Sequence, residues 1–164
     1  MKLYVVRHAH AGSRSAWDGP DVERPLSRRG RKQAAGIADH LARVGVARLV
    51  SSPSFRCVES LQPLADRLGL SVDVDDRLLE GTDGEQALAL AGELSKEGTA
   101  AVICSHGDVI PDLLRILNAG TTRFKDPLAW PKGSIWVLTW DGEQWTKARY
   151  IPPIDALDHA HSHR

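Results

Sequence analysis

The sequence predicts an α/β protein with three layers, helices on both faces of a mostly parallel sheet that closes with an antiparallel C-terminal hairpin. Three observations carry that prediction. Short apolar runs at Leu3–Val6, Leu49–Val50 and Ala100–Cys104 alternate with longer segments whose apolar residues recur at helical spacing. Two of those runs stop abruptly at a histidine, His8 and His106. Near the end, Asp141-Gly142 lies between two apolar stretches, a hairpin signal.

Taken in order, Lys2–His10 reads as a buried strand running into a reactive loop, since Leu3–Val6 is short, apolar and β-branched. Residues 9–25 form a polar loop with Gly and Pro, long enough to be functional. Ser27 is the expected N-cap of a helix from about Arg28 to Val44, with Ala34, Ile37, Ala38 and Leu41 on its apolar face and Gly45 ending it. Arg48–Ser51 is a second strand. The next helix is expected to start at Pro53 and to bury Phe55, Val58, Leu61, Ala65 and Leu68, with a bend at Pro63. Ser71–Asp75 is a short strand, and Leu78-Leu79-Glu80-Gly81 leads into a helix over Gly84–Ser95. Ala100–Cys104 is a buried strand, followed by Ser105-His106-Gly107 and a helix over Asp108–Asn118. Ser134–Trp140 and Gln144–Ile151 are the hairpin strands. The folded domain is expected to cover residues 1–151 and residues 152–164 to form a flexible tail.

Composition narrows the function classes. A chain of 164 residues with 42% hydrophobic and 26% charged residues suits one soluble domain. The formal net charge is zero, so no overall field favours nucleic acid or membrane. Residues 1–56 hold 11 Lys and Arg against 4 Asp and Glu, which suits an anion site built from that third, although Arg28, Arg29, Arg31 and Lys32 read as a solvated helix face. Cys57 and Cys104 form no disulfide framework, and neither opens a C-x5-R phosphatase loop, because Pro63 and Ile110 stand where the arginine belongs. There is no signal peptide pattern and no run of the ~20 apolar residues that spans a bilayer. A reducing, cytoplasmic setting is expected. His159, His161 and His163 alternate in the tail and could catch a divalent metal, but read better as a solvated terminus; His10 and His40 read as surface residues.

Arg7 and His8 stand at the carboxyl end of a strand, where open α/β sheets bind ligands. On their own they fit equally a surface pair and an anion site with a nucleophile. Arg56, in the first turn of a helix, and His106, at a second strand end, tip the balance. Two guanidiniums and two imidazoles without a carboxylate cluster match in-line phosphoryl transfer to a histidine, with fixed cations neutralising the charge on the transferred group. His8 would attack phosphorus, with a loop carbonyl fixing its tautomer.

These residues make the chain resemble the histidine phosphatase superfamily, of phosphoglycerate-mutase-like fold. The R-H-G signature appears as Arg7-His8-Ala9, the S-S-P-x-x-R signature as Ser51-Ser52-Pro53-Ser54-Phe55-Arg56, and the S-H-G signature as Ser105-His106-Gly107. Arg24-Pro25-Leu26-Ser27 with Gly30, Gln33 and Ala34 is similar to a segment of small SixA-type phosphohistidine phosphatases. Gly98–Leu114 and Lys132-Gly133-Ser134 are similar to the phosphatase domain fused to mycobacterial MutT-type hydrolases, although no MutT segment is present here. The resemblance implies a phosphohistidine on His8, and phosphoryl binding by Arg7, Arg56 and His106, with Arg24 and Gly107 as further substrate-binding candidates. It implies no metal and no cofactor. Ala9 departs from the usual Gly but keeps its carbonyl. Glu80 falls where many members carry the acid that protonates the leaving oxygen; its other reading is a loop residue paired with Arg77. The expected partner is a phosphorylated protein or a small phosphorylated metabolite or nucleotide, with oligomeric state left open. A mutase fits less well, because a compact chain has few residues for a lid that keeps water out. A non-catalytic phosphate-binding partner of a separate nucleotide hydrolase is the alternative.

Overall fold

The computed structural model describes residues 1–155, so the histidines of the tail lie outside the described residues. Seven strands form one sheet: β1 (Lys2–Arg7), β2 (Val46–Ser51), β3 (Val72–Val74), β4 (Ala100–Ser105), β5 (Arg123–Phe124), β6 (Ile135–Trp140) and β7 (Trp145–Ile151). Four helices accompany them: α1 (Arg28–Leu41), α2 (Phe55–Leu68), α3 (Gly84–Ser95) and α4 (Val109–Ala119). The strand order is β3-β2-β4-β1-β6-β7-β5. The first four are mutually parallel, β6 runs antiparallel to β1, and β7 antiparallel to β6. The expected architecture is therefore the observed one, and β1 lies at the centre of the sheet.

Strand alternation sorts the core into two halves. On β1, Leu3 and Val5 face one layer with Ala101 and Ile103 of β4 and Trp136 and Leu138 of β6; Leu90, Leu94, Ile110, Leu113 and Leu114 of α3 and α4 cover them. Tyr4 and Val6 face the other layer with Val102, Cys104, Ile135 and Val137, beneath Ile37, Leu41, Leu61 and Leu64 of α1 and α2. Leu61 and Leu64 are wholly buried, a gain of ~1.5–3 kcal/mol each over exposure.

Several element boundaries differ from expectation. α1 stops at Leu41, three residues early, because Ala42–Gly45 turns directly into β2. α2 begins at Phe55 with Ser54 as N-cap, so Pro53 lies outside it, and the helix runs through Pro63 to Gly69, whose left-handed backbone (φ 65°) ends it. The buried face of α2 is rotated from the expected one. Phe55 is half exposed, whereas Arg56, Cys57 and Ser60 are buried. A polar residue needed beneath the strand ends overrides the apolar periodicity of the first turn. Strand β5, only two residues long and pairing with β7, has no pattern of its own to betray it. Past β7 the chain still packs: Ile154 lies against Gly36, where a methyl group would collide with it, and Asp155 pairs with Arg29 at 2.6 Å. Among the described residues, no helix is long and apolar enough to cross a membrane.

Candidate active site

The carboxyl ends of β1 and β4 carry the two histidines, and the first turn of α2 brings Arg56 beneath them. Backbone bonds set the frame: His8 N–H donates to Ser105 O (3.1 Å), Ser52 N–H to Cys104 O (3.0 Å) and Arg7 N–H to Ser134 O (3.0 Å). Ser60, one turn beyond Arg56 on α2, accepts from Ala9 N–H at 2.8 Å and donates to Arg56 O at 2.6 Å. The nucleophile loop is thus tied to the helix that supplies the arginine.

His8 is 5% exposed, and its ring centroid lies 5.4 Å from that of His106. Its Nδ1 sits 2.8 Å from Ala9 O. A carbonyl only accepts, so Nδ1 carries the hydrogen and Nε2 keeps its lone pair. Burial pulls the His8 pKa down to about 3; the Ala9 bond opposes this, and His106, Arg56 and Arg7 add to it. The ring is a neutral nucleophile across the physiological range. Ala9 itself is buried, so its departure from Gly leaves this carbonyl in place.

His106 is held on its far side, with Ser52 Oγ 2.8 Å and Cys57 Sγ 3.5 Å from Nε2, while Arg56 Nη2 lies 3.4 Å from Nδ1. Arg7 donates to Trp130 O at 2.8 Å. Burial, partly offset by Asp108 and Glu80, lowers its proton affinity. Gly107 gives that guanidinium its room: a methyl group there would stand 2.6 Å from Arg7 Cζ. Arg7 Nε and Arg56 Nε are buried without a hydrogen-bond partner among the described residues, as is Arg48 Nε elsewhere. Buried donors left unpaired on two guanidiniums are costly, and a ligand rich in acceptor oxygens would offset that cost.

Arg56 is 1% exposed and balanced by two carboxylates, Asp21 at 3.1 Å and Glu80 at 3.3 Å. Its Nη1 also donates to Asp21 O at 2.9 Å. Arg14 spans the same two acids, reaching Glu80 Oε1 and Oε2 at 2.9 and 3.0 Å and Asp21 at 3.2 Å. Burial raises the Asp21 pKa, but Arg24, Arg56 and Arg14 outweigh it and hold the carboxyl below its usual range. Glu80 therefore pairs with Arg14 and Arg56, and Arg77 pairs with Asp75 (2.8 Å) and Glu93 (2.6 Å).

Of the sequence candidates, Arg7, His8, Arg56, His106, Glu80 and Gly107 are brought together. Arg24 is different: its guanidinium is buried under the loop, donating to Ala11 O (3.0 Å), Gly12 O (3.3 Å) and Asp21 (3.1 Å). His10 is no free surface residue, since Ser27 Oγ lies 2.7 Å from its ring and Gln33 Oε1 accepts from its backbone N–H at 2.8 Å. Sequence reasoning missed Asp21, Arg14 and Ser52. Ser52 stood inside a quoted motif without a role; Asp21 and Arg14 lie in one-turn helices of an irregular loop, where no periodicity marks them. Among the described residues no group of three or more His, Cys, Asp or Glu could hold a metal.

The fold and the three motifs point to a single family. The chain belongs to the histidine phosphatase superfamily (branch 1), whose family model matches residues 3–87. It is 32% identical over 156 residues to the 8-oxo-(d)GTP phosphatase of Mycolicibacterium smegmatis, an alignment covering 93% of this chain and 48% of that protein. The chain thus spans about half the length of the curated relative it matches. Among solved structures, the protein histidine phosphatase SixA complexed with tungstate superposes with a TM-score of 0.76 at 22% identity, covering 95% of this chain and 99% of that one. A mycobacterial glucosyl-3-phosphoglycerate phosphatase gives 0.69 at 20% identity, covering 92% and 97%. Both structural likenesses establish the fold.

Proposed function

We propose that this domain is a metal-independent phosphatase working through a covalent phosphohistidine on His8. The observation that carries the reading is the state of His8: neutral, with Nδ1 tied to Ala9 O and Nε2 bare, between two arginines with unpaired buried donors. In the first step the Nε2 lone pair forms a bond to phosphorus while the bond to the leaving oxygen breaks. Arg7, Arg56 and His106 neutralise the charge gathered on the equatorial oxygens without reorganising, so the protein supplies the work a metal does elsewhere. Once its contact with Arg14 opens, Glu80 takes up a proton from water or from the substrate phosphoryl group and hands it to the leaving oxygen. In the second step water attacks phosphorus, its proton passes to Glu80, the N–P bond breaks and His8 recovers its lone pair as phosphate leaves.

Two substrate classes fit, a phosphohistidine protein and a small phosphate ester or nucleotide. The second is favoured by Glu80 lying beside Arg56, because a poor leaving group needs an acid and imidazole does not. The kinship to an 8-oxo-(d)GTP phosphatase supports the same choice. The test is to react the protein with p-nitrophenyl phosphate in excess EDTA and quench rapidly in base, where phosphohistidine survives. Wild type should gain the mass of one phosphoryl group, lost on acid treatment, and His8→Ala should gain none. Turnover by His8→Ala within about tenfold of wild type would end the covalent scheme, and loss of wild-type activity in EDTA with recovery on Mg²⁺ would end the metal-free one.

A further inference from the structure

Ser52 touches a residue of the site and has no part in phosphoryl transfer as described above. Its backbone is fixed by strand β4, its N–H donating to Cys104 O at 3.0 Å, and its side chain is wholly buried. Its Oγ lies 2.8 Å from His106 Nε2, while the other ring nitrogen, Nδ1, stands beside Arg56. Which of the two atoms donates decides what His106 offers to an anion. A neutral imidazole has one N–H and one lone pair. With the hydrogen on Nε2, Nδ1 would present a lone pair to the phosphoryl oxygens and repel them. With the hydrogen on Nδ1, the ring is a donor there.

The partners of Ser52 favour the second state. Ser54 N–H donates to Ser52 Oγ at 3.3 Å, which occupies one lone pair of the hydroxyl. The hydroxyl hydrogen has two acceptors in reach, His106 Nε2 at 2.8 Å and Ser54 Oγ at 3.4 Å, and only the first lies at an ordinary bonding distance. An Nε2–H aimed at Ser52 would leave that buried hydrogen with the long contact alone, a costly exchange. On the other side of the ring, Nδ1 is not needed as an acceptor. Arg56 Nη2, 3.4 Å away, has closer partners in the carboxylates of Asp21 (3.1 Å) and Glu80 (3.3 Å). Nδ1–H and the Arg56 guanidinium are then two donors side by side, an arrangement that an anion between them completes.

We propose that Ser52 is a positioning residue for phosphoryl binding: its hydroxyl donates to His106 Nε2 and so fixes the tautomer that donates from Nδ1 to the phosphoryl group. This rests on the phosphatase reading above and assigns the hydrogen that His106 must carry. Cys57 Sγ, 3.5 Å from the same Nε2, is a weak donor as a thiol and an acceptor as a thiolate, so Cys57→Ala is the control.

The experiment reads the ring directly. Protein labelled with ¹⁵N-histidine is studied at about pH 8, above the ordinary imidazole range, by two-bond ¹H–¹⁵N correlation, which tells an Nδ1–H ring from an Nε2–H ring. The His106 signals are assigned by their loss in His106→Gln. Wild type and Cys57→Ala should both show Nδ1–H, and Ser52→Ala should shift hydrogen to Nε2. Calorimetric affinity for inorganic phosphate should fall about tenfold or more in Ser52→Ala, the scale of a hydrogen bond to a charged group. The kcat/KM for p-nitrophenyl phosphate should fall with it, and Ser52→Thr should restore both. An Nε2–H ring in wild type would overturn the proposal by itself, whether or not any variant folds. So would an unchanged tautomer in Ser52→Ala, even with affinity lost, which would mean that Ser52 acts through the loop backbone. A shifted tautomer with unchanged phosphate affinity would overturn it too, because Nδ1–H would then not serve the phosphoryl group. If wild type neither binds phosphate nor turns over p-nitrophenyl phosphate, the phosphatase reading fails separately, and the spectra still decide whether Ser52 sets the His106 tautomer.

Discussion

Replacing His8 by Asn should make the protein less sensitive to acid. In the folded state His8 titrates at about 3, because burial and three neighbouring cationic or ring groups disfavour the imidazolium. In the unfolded chain it titrates near 6.5. A group whose folded pKa is depressed contributes stability that is complete above the unfolded value and is lost as pH falls toward the folded one. Between about pH 7 and about pH 5 the unfolded ring takes up its proton while the folded ring does not, which stabilises the unfolded state by about 2 kcal/mol. Since pH 5 lies well above the folded value, this loss is set almost entirely by the unfolded pKa. Asn keeps an N–H that can reach Ala9 O but has no proton to gain. Urea melts of both proteins at the two pH values measure the difference, and the other histidines cancel in the comparison. Wild type should lose about 2 kcal/mol more than His8→Asn, or about 4–8 °C in Tm for a domain of this size. A difference below about 0.5 kcal/mol would show that His8 titrates near its ordinary value and is no pre-set neutral nucleophile.

Two further outcomes follow from the site. Glu80→Gln should slow alkyl phosphates by ~10²–10⁴-fold and barely affect p-nitrophenyl phosphate; equal losses for both would make Glu80 a positioning residue for Arg14 and Arg56. Gly107→Ala should lower kcat/KM by about 10²-fold, since the methyl group 2.6 Å from Arg7 Cζ must displace that guanidinium; an unchanged rate constant, with folding verified by circular dichroism, would mean that Arg7 does not touch the phosphoryl group.

Much of this was legible in the sequence because the sheet centre is strongly patterned. β1 and β4 are apolar on both faces and end at a histidine, so strand, register end and site coincide in a few residues. The span of helix α3 was legible from its apolar spacing, and in the structure Asp83 caps it. What stayed hidden depends on contacts distant in sequence. Arg56 was legible as an anion-site residue, but Phe55 was expected in the apolar stripe of the same helix, and only the packing of α2 leaves Phe55 half exposed and Arg56 buried. Asp21 and Glu80, 59 positions apart in the chain, meet through Arg56 and Arg14, and no local rule pairs them. The role of His10 was hidden for the same reason: its partners, Ser27 and Gln33, belong to the following helix and its cap.

The anchoring of the loop before α1 bears on how such a domain changes what it acts on. Its two ends are fastened to one another: Arg24 clasps the carbonyls of Ala11 and Gly12, and Ser27 N–H and Oγ clasp that of His10. Gly30 presses so close to the His10 carbonyl that no side chain fits there. Residues 12–23 therefore leave and rejoin the fold at nearly the same place, in the manner of an Ω-loop. Such a segment behaves as a cassette. It can be lengthened, shortened or grafted from a relative without dragging His8 with it, provided an acid is retained where Asp21 meets Arg56. The nucleophile is thus held independently of the length of the loop, while Arg14 and Asp21 remain the points through which a change in the loop would reach Glu80 and Arg56.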